Sequence, residues 1–402
     1  MSPLPSRLAM MAAALAASLV APSIAAQERP ADLTVLPPVP TDYQPPRTTW
    51  GDPDLSNTYQ IEFHNSGRIL FQRPPAYGNR VWVNDEEFAR RLAAAERSDS
   101  NYSPEGQGIN YPGSQGLAEW MRTSPFAKRT SLLVSPADGQ LPALTAQGRR
   151  LFEAGRSGWV PGQEYDWVTD FDTWDRCITR GFPTSMFPNR YNNGIRVWQS
   201  PGYVVIHMEM LGLRIVPLGD TPAWPAAVEQ WMGHGRGRWE GDTLVIETTN
   251  IQSGDAVTHD PGRRSAAPVI VTMIGGAPFN TIPMSEQTRI VERLTMTGAN
   301  TLLHELTYSD PATFTAPWTT QIEWVRDDDY QFYEYACHEG NDAIRGYISS
   351  SRAKRRDLAA GVIQPEPLEQ DDRSRFITVF DRDPGVAPPP APPAPAASEG
   401  GG

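Results

Sequence analysis

The sequence predicts a mainly β protein, an antiparallel, lipocalin-like meander barrel with an irregular N-terminal wrap and a C-terminal helix. Three observations carry that expectation. From about residue 166 onward, short runs of alternating apolar character recur, each ended by a Gly, Asn or Asp turn signal. Two runs echo one another: Asp242-Thr243-Leu244-Val245-Ile246-Glu247 and Asn300-Thr301-Leu302-Leu303-His304-Glu305 each follow a Gly-containing turn. Successive runs are joined by short turns, so no crossover is needed, and about eight or more such strands close as a barrel or a sandwich.

Residues 1–26 read as a secretory signal peptide, with Arg7 as the basic start and Ser23-Ile24-Ala25 as the cleavage signature. The apolar run between them is about 14 residues, short of the roughly 20 that span a bilayer. Residues 27–47 form a Pro-rich linker, and 48–165 an irregular region with two short helices. The first helix starts at Asn84, whose side chain can cap while Glu87 reaches back. The second follows Thr145. Residues 166–382 hold the barrel, and 383–402 a disordered Pro/Ala/Gly tail.

Within the barrel region, strands are predicted at 195–200 and 203–210 around Pro201-Gly202, then at 213–218. Others are predicted at 236–239 and 243–249 around Glu240-Gly241-Asp242, and at 290–295 and 301–308. A last hairpin pairs 319–325 with 330–336 across Asp327-Asp328-Asp329, which lacks the alternating ligand spacing of a calcium loop and reads as a charged turn. A helix follows Asn341, with basic residues near its C-terminal end, and 375–380 can add a final strand.

The 402 residues carry a net charge of −12, which disfavours nucleic-acid phosphates and anionic membranes as partners. The two cysteines exclude a disulfide-framework mini-protein and a four-cysteine zinc site. In an exported chain an even pair is more often bridged than free, so Cys177 and Cys337 are expected to be linked; two buried free thiols are the alternative. A loop of about 160 residues closed this way removes roughly 5 kcal/mol of unfolded-state entropy. The bridge would bring Arg176 beside His338.

No Gly-x-Ser-x-Gly elbow, His-Glu-x-x-His pair, phosphate-binding Gly-Lys-Thr loop or dinucleotide fingerprint occurs. Chemistry must come from scattered polar groups. In the 203–210 run, the period of two puts His207 and Glu209 on one face, about 7 Å apart. Either that face lines the lumen and is functional, or it is merely solvated. His338, Glu339 and Asn341 sit where a strand gives way to a helix, a place that suits an anion or a tuned histidine; the alternative is a capping turn with Asn341 as N-cap. His64, His234, His259 and His304 are less persuasive.

The expected roles follow from side-chain chemistry. His207 and His338 serve as base or acid, Glu209 orients or activates a histidine, and Arg176 and Arg214 stabilise an oxyanion or carboxylate. Tyr191, Asn192, Trp231 and Asn341 are candidate substrate-binding groups. No cofactor is predicted; a zinc-like divalent metal on His207, Glu209 and His338 is the minority alternative.

Five motifs together have a familiar look: Trp50-Gly51-Asp52-Pro53-Asp54-Leu55, Asp175-Arg176-Cys177-Ile178, Gln230-Trp231-Met232-Gly233, Arg236-Gly237-Arg238-Trp239-Glu240-Gly241-Asp242-Thr243-Leu244, and Tyr333-Glu334-Tyr335-Ala336-Cys337-His338-Glu339-Gly340-Asn341. Across residues 48–350 the chain resembles a family of exported bacterial hypothetical proteins. The resemblance implies export, one folding unit and pairing of the Cys177 and Cys337 stretches. It implies no reaction. The functional expectation is therefore an exported, periplasmic or secreted enzyme using His/Glu/Arg acid–base chemistry on a small organic or sugar-derived substrate. A lyase, hydratase or isomerase is favoured over a hydrolase. The alternative is a barrel that carries a small apolar or aromatic ligand, walled by Trp198, Trp231, Trp239 and Trp318. Either way the partner is a small molecule, with no nucleic acid and no membrane insertion after cleavage.

Overall fold

The computed structural model describes residues 29–365, apart from 67–68, 102–115, 155–163, 172, 174, 180, 189–191, 211 and 253–283. The signal peptide, the C-terminal tail, the 375–380 strand, Tyr191 and His259 lie outside the described residues.

Two strands come from the N-terminal region, β1 (Asn57–Gln60) and β2 (Leu133–Ser135). The alternating runs then give β3 (Gly194–Ser200), β4 (Tyr203–Met208) and β5 (Gly212–Pro217). After them come β6 (His234–Glu240), β7 (Thr243–Thr249), β8 (Arg289–Gly298), β9 (Thr301–Ser309) and β10 (Trp318–Arg326). Gly202 and Gly241, at φ 81° and 62°, make the β3–β4 and β6–β7 turns, a conformation other residues adopt only at a cost. The sheet order is β5-β4-β3-β1-β10-β9-β8-β7-β6, with β2 added to β10. Its two ends meet at one parallel bridge, Leu218 to Gly237. The result is the expected mostly antiparallel barrel, nearly closed, of nine strands.

One predicted hairpin is not formed. Residues 330–336 have no strand structure, because both edges of β10 are already occupied: β9 pairs along one, and β1 takes the other through Tyr59–Arg326 and Gln60–Val325. The chain after Asp327 leaves the sheet and runs as an irregular strap. Gln60 donates from its amide to the buried Asp327 carboxylate, and Asp327 donates its amide to Thr58 O at 3.0 Å, so β1 also fixes where the strap departs.

The pleat sends one side of each strand inward. Val204 and Ile206, Leu244 and Ile246, Ile290 and Leu294, Leu302 and Leu306, and Ile322 and Trp324 build the core. Each such side chain, fully buried, contributes about 1.5–3 kcal/mol. Arg214, expected to contact substrate, is among these inward residues because it pairs across from Ile206. Its guanidinium lies 2.8 and 2.5 Å from the two Glu292 oxygens, donates to Thr248 Oγ1 at 3.0 Å and covers the Phe182 ring. Glu292 also meets His304 Nε2 at 3.0 Å. Burial pushes the Glu292 carboxyl up, but Arg214 and His304 outweigh it and hold it at about 2. Arg214 is thus an ion-pair partner inside the barrel.

The N-terminal region wraps the outside with α1 (Glu62–Ser66), α2 (Asp85–Asn101), α3 (Leu117–Thr123) and α4 (Ala146–Ala154). The capping box at α2 forms as expected, Asn84 N to Glu87 Oε2 at 2.7 Å and Glu87 N to Asn84 Oδ1 at 2.8 Å. Over β10 the wrap supplies Trp120 Nε1 and Ser124 Oγ to the buried Glu323 carboxyl at 3.1 and 2.5 Å, while His64 Nε2 meets Glu323 O at 2.8 Å. The C-terminal helix α5 (Ala343–Ala359) buries none of its residues fully; Tyr347 leans on Tyr165 and Arg355 pairs with Asp166. Its N-cap is Asp342, not Asn341. No helix of the described residues is long and apolar enough to cross a membrane.

Candidate active site

Outward-facing positions of β3, β4 and β5 align in rows, one of them Arg196–His207–Leu213 and the next Trp198–Val205–Ile215. His207 therefore lies on the outer wall. The expectation that its face must line the lumen for function is corrected by the pleat: Val204, Ile206 and Met208, the apolar set, took the inside. The outer wall does not leave His207 bare, however. The strap from β10 crosses it, and Phe332 covers the imidazole at 4.8 Å between centroids, with Trp198 stacked at 5.8 Å. Burial first, then the Arg196 guanidinium, lowers the His207 pKa from its ordinary value, with Glu209 opposing. The ring is neutral at pH 7.

Glu209 follows the end of β4 and is 3% exposed. Three donors hold it: Tyr330 Oη at 2.5 Å and Gly194 N at 3.2 Å on Oε2, and Tyr333 N at 3.2 Å on Oε1. Such a set satisfies most of what a buried carboxylate needs. Gly194 is required by close approach here. A Cβ on it would lie 2.5 Å from Tyr330 Cε1, 3.0 Å from Glu209 Oε2 and 3.1 Å from Phe332 Cδ2. The Tyr330 hydroxyl is pushed up by burial, then by its bond to Glu209, so it stays protonated and keeps donating. Glu62, at the start of α1, is buried and coupled to Glu209. Burial and then the Glu209 charge raise its carboxyl to about 8, and it holds a proton at neutral pH.

His207, Glu209 and Phe332 border a cavity of about 410 Å³, lined also by Gly212, Leu213, Tyr333, Glu334 and Tyr335. That volume is within the range of small-molecule sites. A second cavity, about 510 Å³, shares Gly212 and Leu213 with it and is lined on its far side by Ile178, Glu229, Gln230, Trp231 and Gln252 among others.

Cys177 and Cys337 are bridged, their Cα atoms 5.6 Å apart. The bridge anchors the strap at the end opposite β10. Asn341 donates from its amide nitrogen there, to Asp175 O at 2.9 Å and to Cys177 Sγ at 3.3 Å, and is tied to the bridge one residue before the N-cap of α5.

The structure brings His207 and Glu209 to one cavity. Arg176, half-buried, and His338, exposed, flank the bridged cysteines and are not among the residues lining it. Asn192 is half-buried in a left-handed conformation, φ 52°, two residues before Gly194. Trp231 lines the second cavity, and Arg214 is in the core. The four tryptophans proposed as walls do not share a chamber: Trp318 is inside the barrel, whereas Trp198 is 44% exposed on its outside. Among the described residues no group of three or more His, Cys, Asp or Glu is arranged to hold a metal ion, and His207, Glu209 and His338 form no such set.

Sequence reasoning missed Glu62, Tyr330, Phe332 and Gly194. A charge between Ile61 and Phe63 was the available signal for Glu62; Tyr330 and Phe332 owe their place to the strap, read as a strand, and Gly194, at the start of β3, is confined only by what the strap lays against it. The chain matches no family model, no curated protein and no solved structure.

Proposed function

We propose that the protein is an exported acid–base enzyme whose site is the cavity on the outer barrel wall. The observation that carries this reading is that His207 and the thrice-bonded carboxylate of Glu209 line one small-molecule-sized cavity. His207, neutral at pH 7, accepts a proton from the bound substrate; the electron pair released moves to a leaving group or a carbonyl oxygen, and the same imidazole returns the proton to the product. Glu209 stabilises the imidazolium while it exists. This sequence performs elimination, hydration or isomerisation of a small organic molecule without a covalent intermediate. The bridged cysteines, and the lack of a membrane-crossing helix among the described residues, are compatible with export.

The test is proton NMR in D₂O of a panel of small hydroxy acids, sugars and amino compounds incubated with the protein. The wild type is expected to convert or deuterate at least one, and His207→Ala to lose that turnover while its unfolding free energy changes by no more than about 1–2 kcal/mol. His338→Ala keeps it. Turnover retained by His207→Ala refutes the assignment. The Trp231 cavity favours a second reading, plain ligand binding, which predicts saturable binding with no turnover in either protein.

A further inference from the structure

The polar and aromatic lining of the cleft has a consistent chemical sense. Besides its two tyrosines, its ionisable lining groups are Glu209, Glu334 and the neutral His207, and no lysine or arginine among the described residues lines it. Phe332, Tyr333 and Tyr335 supply three aromatic rings to the same small space. Aromatic faces are electron-rich and attract cations, most strongly where water is displaced. This wall already does so once. Arg196, held by Thr58 Oγ1 at 3.2 Å, sets its guanidinium carbon 4.6 Å from the Phe332 centroid, on β3 and outside the cavity lining. Glu209 retains acceptor capacity, because Oε1 takes only the Tyr333 amide whereas Oε2 takes two donors. The net charge of −12 adds a long-range field that draws cations and repels anions.

Resting on the reading of this cleft as the site, we propose that it takes an organic cation, a substituted ammonium seated between the rings of Tyr333 and Tyr335 and the carboxylates of Glu209 and Glu334. The ammonium pairs with Glu209 Oε1 and Glu334, and its alkyl substituents cover the rings. The uncharged remainder of the molecule lies toward Leu213, the residue shared with the Trp231 cavity. A neutral His207 is compatible with a cation beside it; a charged one would repel it.

The experiment is isothermal titration of the intact protein at neutral pH with choline, with its uncharged isostere 3,3-dimethyl-1-butanol, and with pivalate as the anionic counterpart. Choline is expected to bind, the butanol about tenfold or more weakly, and pivalate not at all. Glu334→Gln, a change at an exposed side chain that leaves the fold intact, lowers choline affinity about fivefold, and Tyr335→Ala does the same or more. The proposal is overturned if the butanol or pivalate binds as well as choline, if choline shows no binding at tens of millimolar, or if Glu334→Gln and Tyr335→Ala leave its affinity unchanged. Choline binding needs no turnover, so the two readings fail separately. A neutral substrate converted by the wild type and not by His207→Ala, with no choline binding, removes the ligand class and keeps the acid–base site. Choline binding with no turnover of any compound does the reverse.

Discussion

Replacing Gly194 with alanine tests how the site is assembled. Gly194 has an ordinary extended backbone in β3, so alanine is not strained there; what it meets is Tyr330. The new Cβ would lie 2.5 Å from Tyr330 Cε1, against about 3.5–4.0 Å for a relaxed carbon–carbon contact. The ring must retreat by about 1 Å. That retreat stretches the 2.5 Å bond from Tyr330 to Glu209, a hydrogen bond to a charged acceptor of the kind worth about 1.5–3 kcal/mol. Overpacking itself costs about 1–3 kcal/mol. The expected loss of stability is therefore about 3–5 kcal/mol, read from urea unfolding at neutral pH, with a parallel loss of affinity in the cleft. A second background isolates the cause. In Tyr330→Ala the main obstacle is gone and only the 3.0 and 3.1 Å contacts to Glu209 and Phe332 remain, so Gly194→Ala should cost less than half as much. An equal cost in both backgrounds, or a change within about 0.5 kcal/mol in the wild type, refutes the reasoning.

Three further outcomes follow from buried groups. Glu62 has a folded pKa raised from 4.5 to about 8, so its contribution is full below pH 4.5 and is lost as pH rises through 8. The wild type should lose about 4 kcal/mol over that window from this group, and Glu62→Gln should remove the decline when urea midpoints are compared at pH 5 and pH 8. Arg214→Met leaves Glu292 buried without its main partner and should cost about 3–5 kcal/mol, whereas Arg214→Met with Glu292→Leu should recover over half of it; thermal unfolding of the single and double variants decides. Denatured, unreduced protein should show no free thiol and reduced protein two, from Cys177 and Cys337. The Cys177→Ser, Cys337→Ser double variant should be destabilised by as much as about 5 kcal/mol in urea unfolding.

The alternating runs were legible because a half-buried strand writes its pleat directly into side-chain polarity, and the β3–β4, β6–β7 and β8–β9 turns carried Gly202, Gly241 and Asn300. Asn84 and Glu87 announced their helix for the same local reason. Long-range pairing left no such mark. β1 is only four residues, Asn57–Gln60, and looks irregular until β3 and β10 are placed on either side of it. Because β1 takes the open edge of β10, Tyr330, Phe332 and Tyr333 are diverted from a sheet onto the outer wall, and the site is made by that diversion. His207 and Glu209 were found from their spacing, but the side they face depends on which set of residues fills the barrel. Arg214 was misread because a buried partner such as Glu292, 78 residues away, cannot be inferred from the sequence around either residue.

The position of β1 also fixes the order in which the barrel can be completed. β3 to β5 and β6 to β10 are runs of neighbours that meet soon after they are made. Between β3 and β10, however, the gap is filled by a segment synthesised first, whose second partner is separated from it by most of the chain: Tyr59 pairs with Arg326. Until β10 exists, β1 has at most one neighbour, and until β1 inserts, β3 is a bare edge and β10 is covered beyond β9 only at Thr319 and Thr320, by β2. Closure thus waits until β10 has been made and depends on a contact of high sequence separation, a slow step by topology alone. Removing residues up to 61 would leave the β3 edge unpaired and the β10 edge held only by β2 at Thr319 and Thr320, a form expected to join with copies of itself rather than stay monomeric.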